Sequence, residues 1–185
     1  MAILKIARMG HPVLTRRAEA ITNPTAPEVL ALVQHMIETM SDAGGLGLAA
    51  PQVHVPARLV IFHAPGARDD DDDDETGWGE LTVLVNPEVE PLGAETSEGW
   101  EGCLSLPGLR GLVPRHDRVR YRGATPEGAV IERVAEGLHA RVVQHECDHL
   151  DGILYPMRMT DLSKLIFESE MRHQRGRADD RREVA

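Results

Sequence analysis

The chain has 185 residues, of which 42% are hydrophobic, so it can bury one core, and we expect a single domain over residues 1–185. Its formal net charge of -10 and its 3% content of aromatic residues argue against specific nucleic-acid binding, because phosphate contacts need a basic surface. A cytoplasmic protein without membrane contact is expected, since the chain lacks a signal-peptide start, an apolar membrane span and enough cysteines for a disulfide framework.

The first predicted elements are a helix and a β-hairpin. Apolar residues recur at helical spacing over residues 27–40 and are followed by Gly44-Gly45, a pattern typical of an amphipathic helix and its end. Residues 58–63 and 81–85 are short runs rich in β-branched residues, which predict two paired strands. The acidic run at residues 69–75 lies between them, and its like charges favour a solvated loop over a cation site.

A second hairpin and two further helices are predicted downstream. Residues 119–122 and 130–134 predict strands joined by a turn at residues 125–128. A helix is expected from about Leu138 to near Gly152, another amphipathic helix over residues 161–172, and a charged tail from about residue 173 to 185. Strands in hairpins favour the α+β class, with small antiparallel sheets around a central helix and with an N-terminal and a C-terminal helix.

The central helix carries a metal-binding pattern, His145-Glu146-Cys147-Asp148-His149. On a helix, His145 and His149 project within about 40° of one another, so both imidazoles can hold one metal ion. Glu146 lies on the flank of that face, where a carboxylate can act on water, whereas Cys147 points nearly the opposite way. The alternative is a pair of buried histidines that find other hydrogen-bond partners.

A catalytic site of this kind needs a third protein ligand, and the residues alone leave more than one candidate. Tyr155 stands where the metzincin peptidase pattern requires a histidine, which argues against that class. Glu168 or Glu170 on the last predicted helix would complete a zinc endopeptidase site. Cys103 offers a thiolate, although a lone cysteine can also be a buried core residue or a hydrolase nucleophile. A fourth protein ligand would instead make the metal structural.

Three stretches together resemble the motifs of peptide deformylases, in the order found in that family. They are Gly45-Leu46-Gly47-Leu48-Ala49-Ala50-Pro51-Gln52, Glu101-Gly102-Cys103-Leu104-Ser105 and Gln144-His145-Glu146-Cys147-Asp148-His149-Leu150-Asp151-Gly152. The resemblance covers most of the chain. It implies hydrolysis of the N-formyl group from the N-terminal formyl-methionine of newly synthesised polypeptides, with release of formate.

The resemblance also implies a role for individual residues. Cys103, His145 and His149 would bind the metal, natively Fe(II), which zinc, nickel or cobalt can replace in the purified protein. Glu146 would carry the proton, and the side-chain amide of Gln52 and the backbone N–H of Leu104 would contact the oxyanion. The substrate would lie against Gly47, Leu46, Glu101, Leu138 and Val142. The partners implied are N-formylmethionyl nascent peptides and, through the C-terminal segment, transiently the ribosome.

Overall fold

The structure, a computed structural model, describes residues 2–63 and 79–173. The helices in these ranges are α1 (Pro27–Asp42) and α2 (Gly137–Leu150), and the strands are β1 (Gly47–Ala49), β2 (Leu59–His63), β3 (Leu81–Pro91), β4 (Thr96–Cys103), β5 (Leu106–His116), β6 (Arg118–Ala124), β7 (Val130–Glu136) and β8 (Ile166–Phe167). Short 3-10 helices lie at Pro12–Thr15, Ala50–Val53, Tyr155–Arg158, Leu162–Lys164 and Glu168–Glu170. The acidic run at residues 69–75 and the predicted tail after residue 173 lie outside the described residues.

The strands form two antiparallel sheets, which confirms the predicted α+β class. One sheet has the order β1-β2-β3-β6-β7 and the other the order β4-β5-β8. The predicted hairpins are present as the pairs β2 with β3 and β6 with β7. Helix α2 packs against strands of both sheets, so residues on this helix meet residues from either sheet.

Both predicted helices upstream of residue 153 are present, within a few residues of their predicted ends. Helix α1 begins at Pro27 and buries Val29, Val33, Met36 and Met40 against one part of the core. Helix α2 begins at Gly137, whose φ of 57° is a conformation that suits glycine. Neither helix in the described ranges is long and apolar enough to cross a membrane.

The predicted C-terminal helix over residues 161–172 is wrong. Asp161 instead accepts a hydrogen bond from the Ser163 N–H at 2.9 Å and caps a 3-10 turn. Strand β8 then pairs with Leu109 and Arg110 of β5, the 3-10 helix Glu168–Glu170 follows, and α-helical conformation begins only at Arg172 within the described chain. The weak helical periodicity here is overridden by backbone hydrogen bonds to the open edge of β5.

Candidate active site

Three metal-binding side chains meet where the end of β4 faces α2. The donor atoms of Cys103, His145 and His149 all lie within 4.8 Å of one another, and the described ranges contain no other such group of three or more. The Cys103 Sγ and the His149 Nε2 are 3.3 Å apart. Two donors on one tetrahedral metal ion lie about 3.5 Å apart, so the group fits a single ion.

A buried carboxylate orients one of the two histidines. The Nδ1 of His145 lies 2.8 Å from Glu101 Oε2, and this contact leaves Nε2 to face the donor group. Arg115 holds the same carboxylate with two hydrogen bonds of 2.9 and 3.0 Å. Although burial acts to raise it, the hydrogen bonds from His145 and Arg115 bring the pKa of Glu101 down to about 2. Glu101 therefore stays ionised and fixes the imidazole.

The carboxylate of Glu101 belongs to a larger set of buried charges. Arg115 also donates to Asp148, and Arg158 pairs with Asp148 at 2.7 Å. We call the buried Glu101, Arg115 and Asp148, together with Arg158, whose side chain is 47% exposed, the buried charge network. It links β4 and β5 to α2 and to the 3-10 helix Tyr155–Arg158, so the sheet that carries Cys103 is tied to the helix that carries the histidines.

Glu146, the predicted proton carrier, lines the same cavity as Cys103 and His145. Its side chain is 5% exposed, and its Oε2 has no hydrogen-bond partner among the described residues. Burial is the largest effect on this carboxyl and raises its pKa to about 7. The carboxylate lies against Gly47, where a built Cβ would be 2.7 Å from the Glu146 carboxyl carbon. The absence of a side chain at Gly47 therefore makes room for Glu146.

The amide of Gln52 is aimed at the donor group. Its Oε1 accepts the Ala49 N–H at 2.8 Å, so the Nε2 faces Cys103 Sγ at 3.4 Å and Ser105 Oγ at 3.2 Å. Leu104 directly follows Cys103 and lines the adjoining cavity. An amide whose acceptor end is already engaged presents its donor end to the site.

A cavity of about 560 Å³ opens beside the donor group. Its walls include all the residues expected to contact substrate, which are Leu46, Gly47, Glu101, Leu138 and Val142. Leu138 is 56% exposed and so lies at the mouth of the cavity.

Nothing in the sequence indicated a role for Arg110, yet it lines the cavity together with Glu168. No motif marked this pair, because only the pairing of β8 with β5 brings them together.

The rival third ligands are engaged elsewhere. Glu168 binds Arg110 at 2.6 Å, and Glu170 lies 3.6 Å from His173, so neither belongs to the donor group. Tyr155 stacks on the ring of His145, with the ring centroids 6.2 Å apart.

The two cysteines differ in the pKa of their thiols. Burial acts to raise the pKa of the Cys103 thiol, but the charge of His149 and hydrogen bonds from both histidines hold it well below the usual value. Burial raises the pKa of the Cys147 thiol, which packs in the core behind the helix. A thiolate is the form that binds metal, so Cys103 is the cysteine suited to the site.

The α+β fold and this site define a metal-dependent hydrolase. Residues 3–165 match the profile of the family described as polypeptide deformylase. The chain is 54% identical over 159 residues to peptide deformylase 2 of Bordetella bronchiseptica, covering 86% of this chain and 89% of that protein. The chain therefore belongs to the polypeptide deformylase family.

Solved structures agree with this assignment. The peptide deformylase of Thermotoga maritima superposes with a TM-score of 0.77 at 32% identity, covering 87% of this chain and 100% of that one. The class I type b peptide deformylase of Acinetobacter baumannii with Met-Ala-Ser bound gives a TM-score of 0.75 at 35% identity, covering 85% of this chain and 99% of that one. The fold, the site and the sequence thus point to one family.

Proposed function

We propose that this chain removes the N-formyl group from the N-terminal formyl-methionine of new polypeptides and releases formate, with Cys103, His145 and His149 as the metal ligands. The observation that carries the proposal is the donor group with the buried Glu146 carboxyl on the same helix. A zinc endopeptidase using Glu168 or Glu170 is not favoured, because both carboxylates are engaged with other side chains at the surface.

The donor set supports a divalent ion with one open position. Two imidazoles and one thiolate leave a tetrahedral metal one site for water or substrate, and Fe(II) is the native metal that we propose. When bound, such an ion supplies Lewis-acid polarisation of the carbonyl and makes water a nucleophile at neutral pH. Glu101 would keep His145 in the tautomer that binds, because its carboxylate holds Nδ1 at 2.8 Å.

The remaining groups would handle the proton and the developing charge. Glu146, with a pKa of about 7, is suited to take a proton from water and to give it to the departing amine. The Gln52 Nε2 and the Leu104 N–H would donate hydrogen bonds to the oxyanion formed from the formyl oxygen. The fixed Gln52 Oε1 contact with Ala49 supports this role, because it orients the donor before substrate arrives.

The peptide would lie in the cavity beside this machinery. Leu46, Leu138 and Val142 give the cavity an apolar side that suits the methionine side chain. Among the strands of the described ranges, β1 pairs only with β2, so Gly47 lies on a sheet edge that an extended peptide can join. The relative from Acinetobacter baumannii was solved with Met-Ala-Ser, a peptide of the same kind.

The direct test is formate release from a formyl-Met tripeptide by protein purified without oxygen and loaded with Fe(II). We expect rapid release that a chelator abolishes, no formate from the unformylated peptide, and no cleavage of internal peptide bonds. A folded, metal-loaded protein that releases no formate would refute the proposal. Cleavage of internal bonds with Glu168-dependent metal binding would favour the endopeptidase instead.

A cytoplasmic location and a transient ribosome contact complete the proposal, with residues 1–185 forming one catalytic domain. The substrate arises at the ribosome, and the C-terminal segment carries the arginines Arg172, Arg175, Arg177, Arg181 and Arg182. Such a segment suits an anionic surface on an otherwise acidic protein. Co-sedimentation with ribosomes at low salt tests this: the full chain should pellet with them, and the chain ending at residue 173 should not.

A further inference from the structure

An ion pair stands at the mouth of the substrate cavity. Arg110 donates to Glu168 Oε1 from Nη2 at 2.6 Å and from Nε at 3.2 Å. The two side chains are 38% and 55% exposed, and both line the cavity that contains Cys103 and Glu146. We call Arg110 and Glu168 the rim pair.

The fold holds the rim pair in place from two sides. Arg110 on β5 lies opposite Ile166 of β8, and Glu168 follows two residues later as the first residue of the 3-10 helix Glu168–Glu170. The pairing of β8 with β5 therefore brings the two side chains within hydrogen-bond distance. On its other side Arg110 lies opposite Gly102 of β4, where a built Cβ would be 2.6 Å from the guanidinium. The guanidinium therefore rests on the bare backbone beside Cys103.

The rim pair, which lines the cavity, retains unused hydrogen-bonding capacity. In the described part of the chain, Glu168 Oε2 and Arg110 Nη1 have no hydrogen-bond partner. A basic side chain can bind Glu168 through Oε2 without breaking the pair. An acidic side chain is repelled by the charge of Glu168, and it can bind Arg110 only by displacing Glu168 from the pair.

We propose that Glu168 makes the enzyme select by charge among the residues that directly follow formyl-methionine, favouring lysine or arginine over glutamate or aspartate. This inference rests on the proposed deformylase function and deepens it. The preference should have the size of an exposed ion pair, about two- to fivefold in kcat/KM. It should weaken as salt rises, because both side chains are reached by solvent.

The test measures kcat/KM for formate release by Fe(II)-loaded protein on amidated peptides. The series is formyl-Met-Lys-Ala, formyl-Met-Glu-Ala, formyl-Met-Ala-Lys and formyl-Met-Ala-Glu, each normalised to formyl-Met-Ala-Ala. The wild-type ratio of lysine to glutamate peptides should exceed one at one or both positions. In E168Q that ratio should fall by about two- to fivefold.

Glu170 provides a matched control. E170Q makes the same change of charge two residues away, at a side chain that pairs with His173 and does not line the cavity. Its peptide ratio should equal that of the wild type. Equal ratios in wild type and E168Q at both positions would overturn the inference, and so would an equal shift in E170Q. Failure to turn over formyl-Met-Ala-Ala would instead overturn the proposed function, and with it this inference.

Discussion

Alanine at position 47 should inactivate the enzyme while leaving its metal site intact. A Cβ at Gly47 would lie 2.7 Å from the carboxyl carbon of Glu146 and 2.8 Å from its Cγ. Gly47 does not have a positive φ, so alanine strains no backbone angle there. The added methyl group therefore clashes with the Glu146 side chain and displaces it. Gly47→Ala thus tests whether activity depends on the position of the Glu146 carboxylate.

The structure sets the size of the effect. Carbon atoms in contact are normally about 3.5–4.0 Å apart, so the carboxylate of Glu146 must move by about 1 Å. A displacement of this size at a reacting group can cost about 100-fold in rate. We expect kcat for formate release to fall by about that factor in Gly47→Ala, with metal content measured by elemental analysis equal to that of the wild type.

Two comparisons identify the cause. Gly45→Ala lies in the same loop but meets first the tip of the Leu104 side chain at 2.9 Å, which can move, so its loss should be much smaller. In a Glu146→Gln background, Gly47→Ala should cost almost nothing more, because the group it displaces no longer carries a proton. A Gly47→Ala enzyme within about threefold of wild type would refute the reasoning, since the estimated loss is about 100-fold.

Three further outcomes are expected. Glu146→Gln should retain metal but lose about two to four orders of magnitude in kcat, the range for a general acid–base, and full metal with full activity would disprove the role. Cys103→Ala should lose metal on dialysis whereas Glu168→Ala should keep it, and the reverse result in elemental analysis would favour the endopeptidase. Gln52→Ala should lower kcat by about two to three orders of magnitude with little change in metal content, as steady-state formate assays can show.

The features best predicted from the sequence are helices α1 and α2 and two of the hairpins, because these depend on the spacing of nearby residues. His145 and His149 fall on one face because a helix repeats every 3.6 residues, and the β-branched runs that pair in β2 with β3 carry a comparable signal. The hairpin of β4 and β5 was not predicted, because β4 contains glycine, serine and glutamate in place of an alternating apolar pattern. Local patterns therefore located the helix of the site but not the sheet that completes it.

The contacts that cross the fold could not be predicted. Cys103 is 46 residues from His149, and its choice over Glu168 needed the family resemblance, because spacing along the chain does not tell which distant side chains meet. Glu101 was predicted only to contact the substrate, whereas its carboxylate also orients His145. Strand β8 forms because the edge of β5 is open, which is a property of the folded sheet.

The buried charge network limits how this sequence can diverge. Replacing Glu101, Arg115 or Asp148 alone breaks a buried ion pair, a change that typically costs about 3–5 kcal/mol, which is a large share of the stability of an ordinary domain. Exchanging a whole ionic cluster for well-packed apolar residues is often neutral. Such an exchange would here remove the Glu101 contact that orients His145, so random drift should leave Glu101, Arg115 and Asp148 fixed while their surroundings vary.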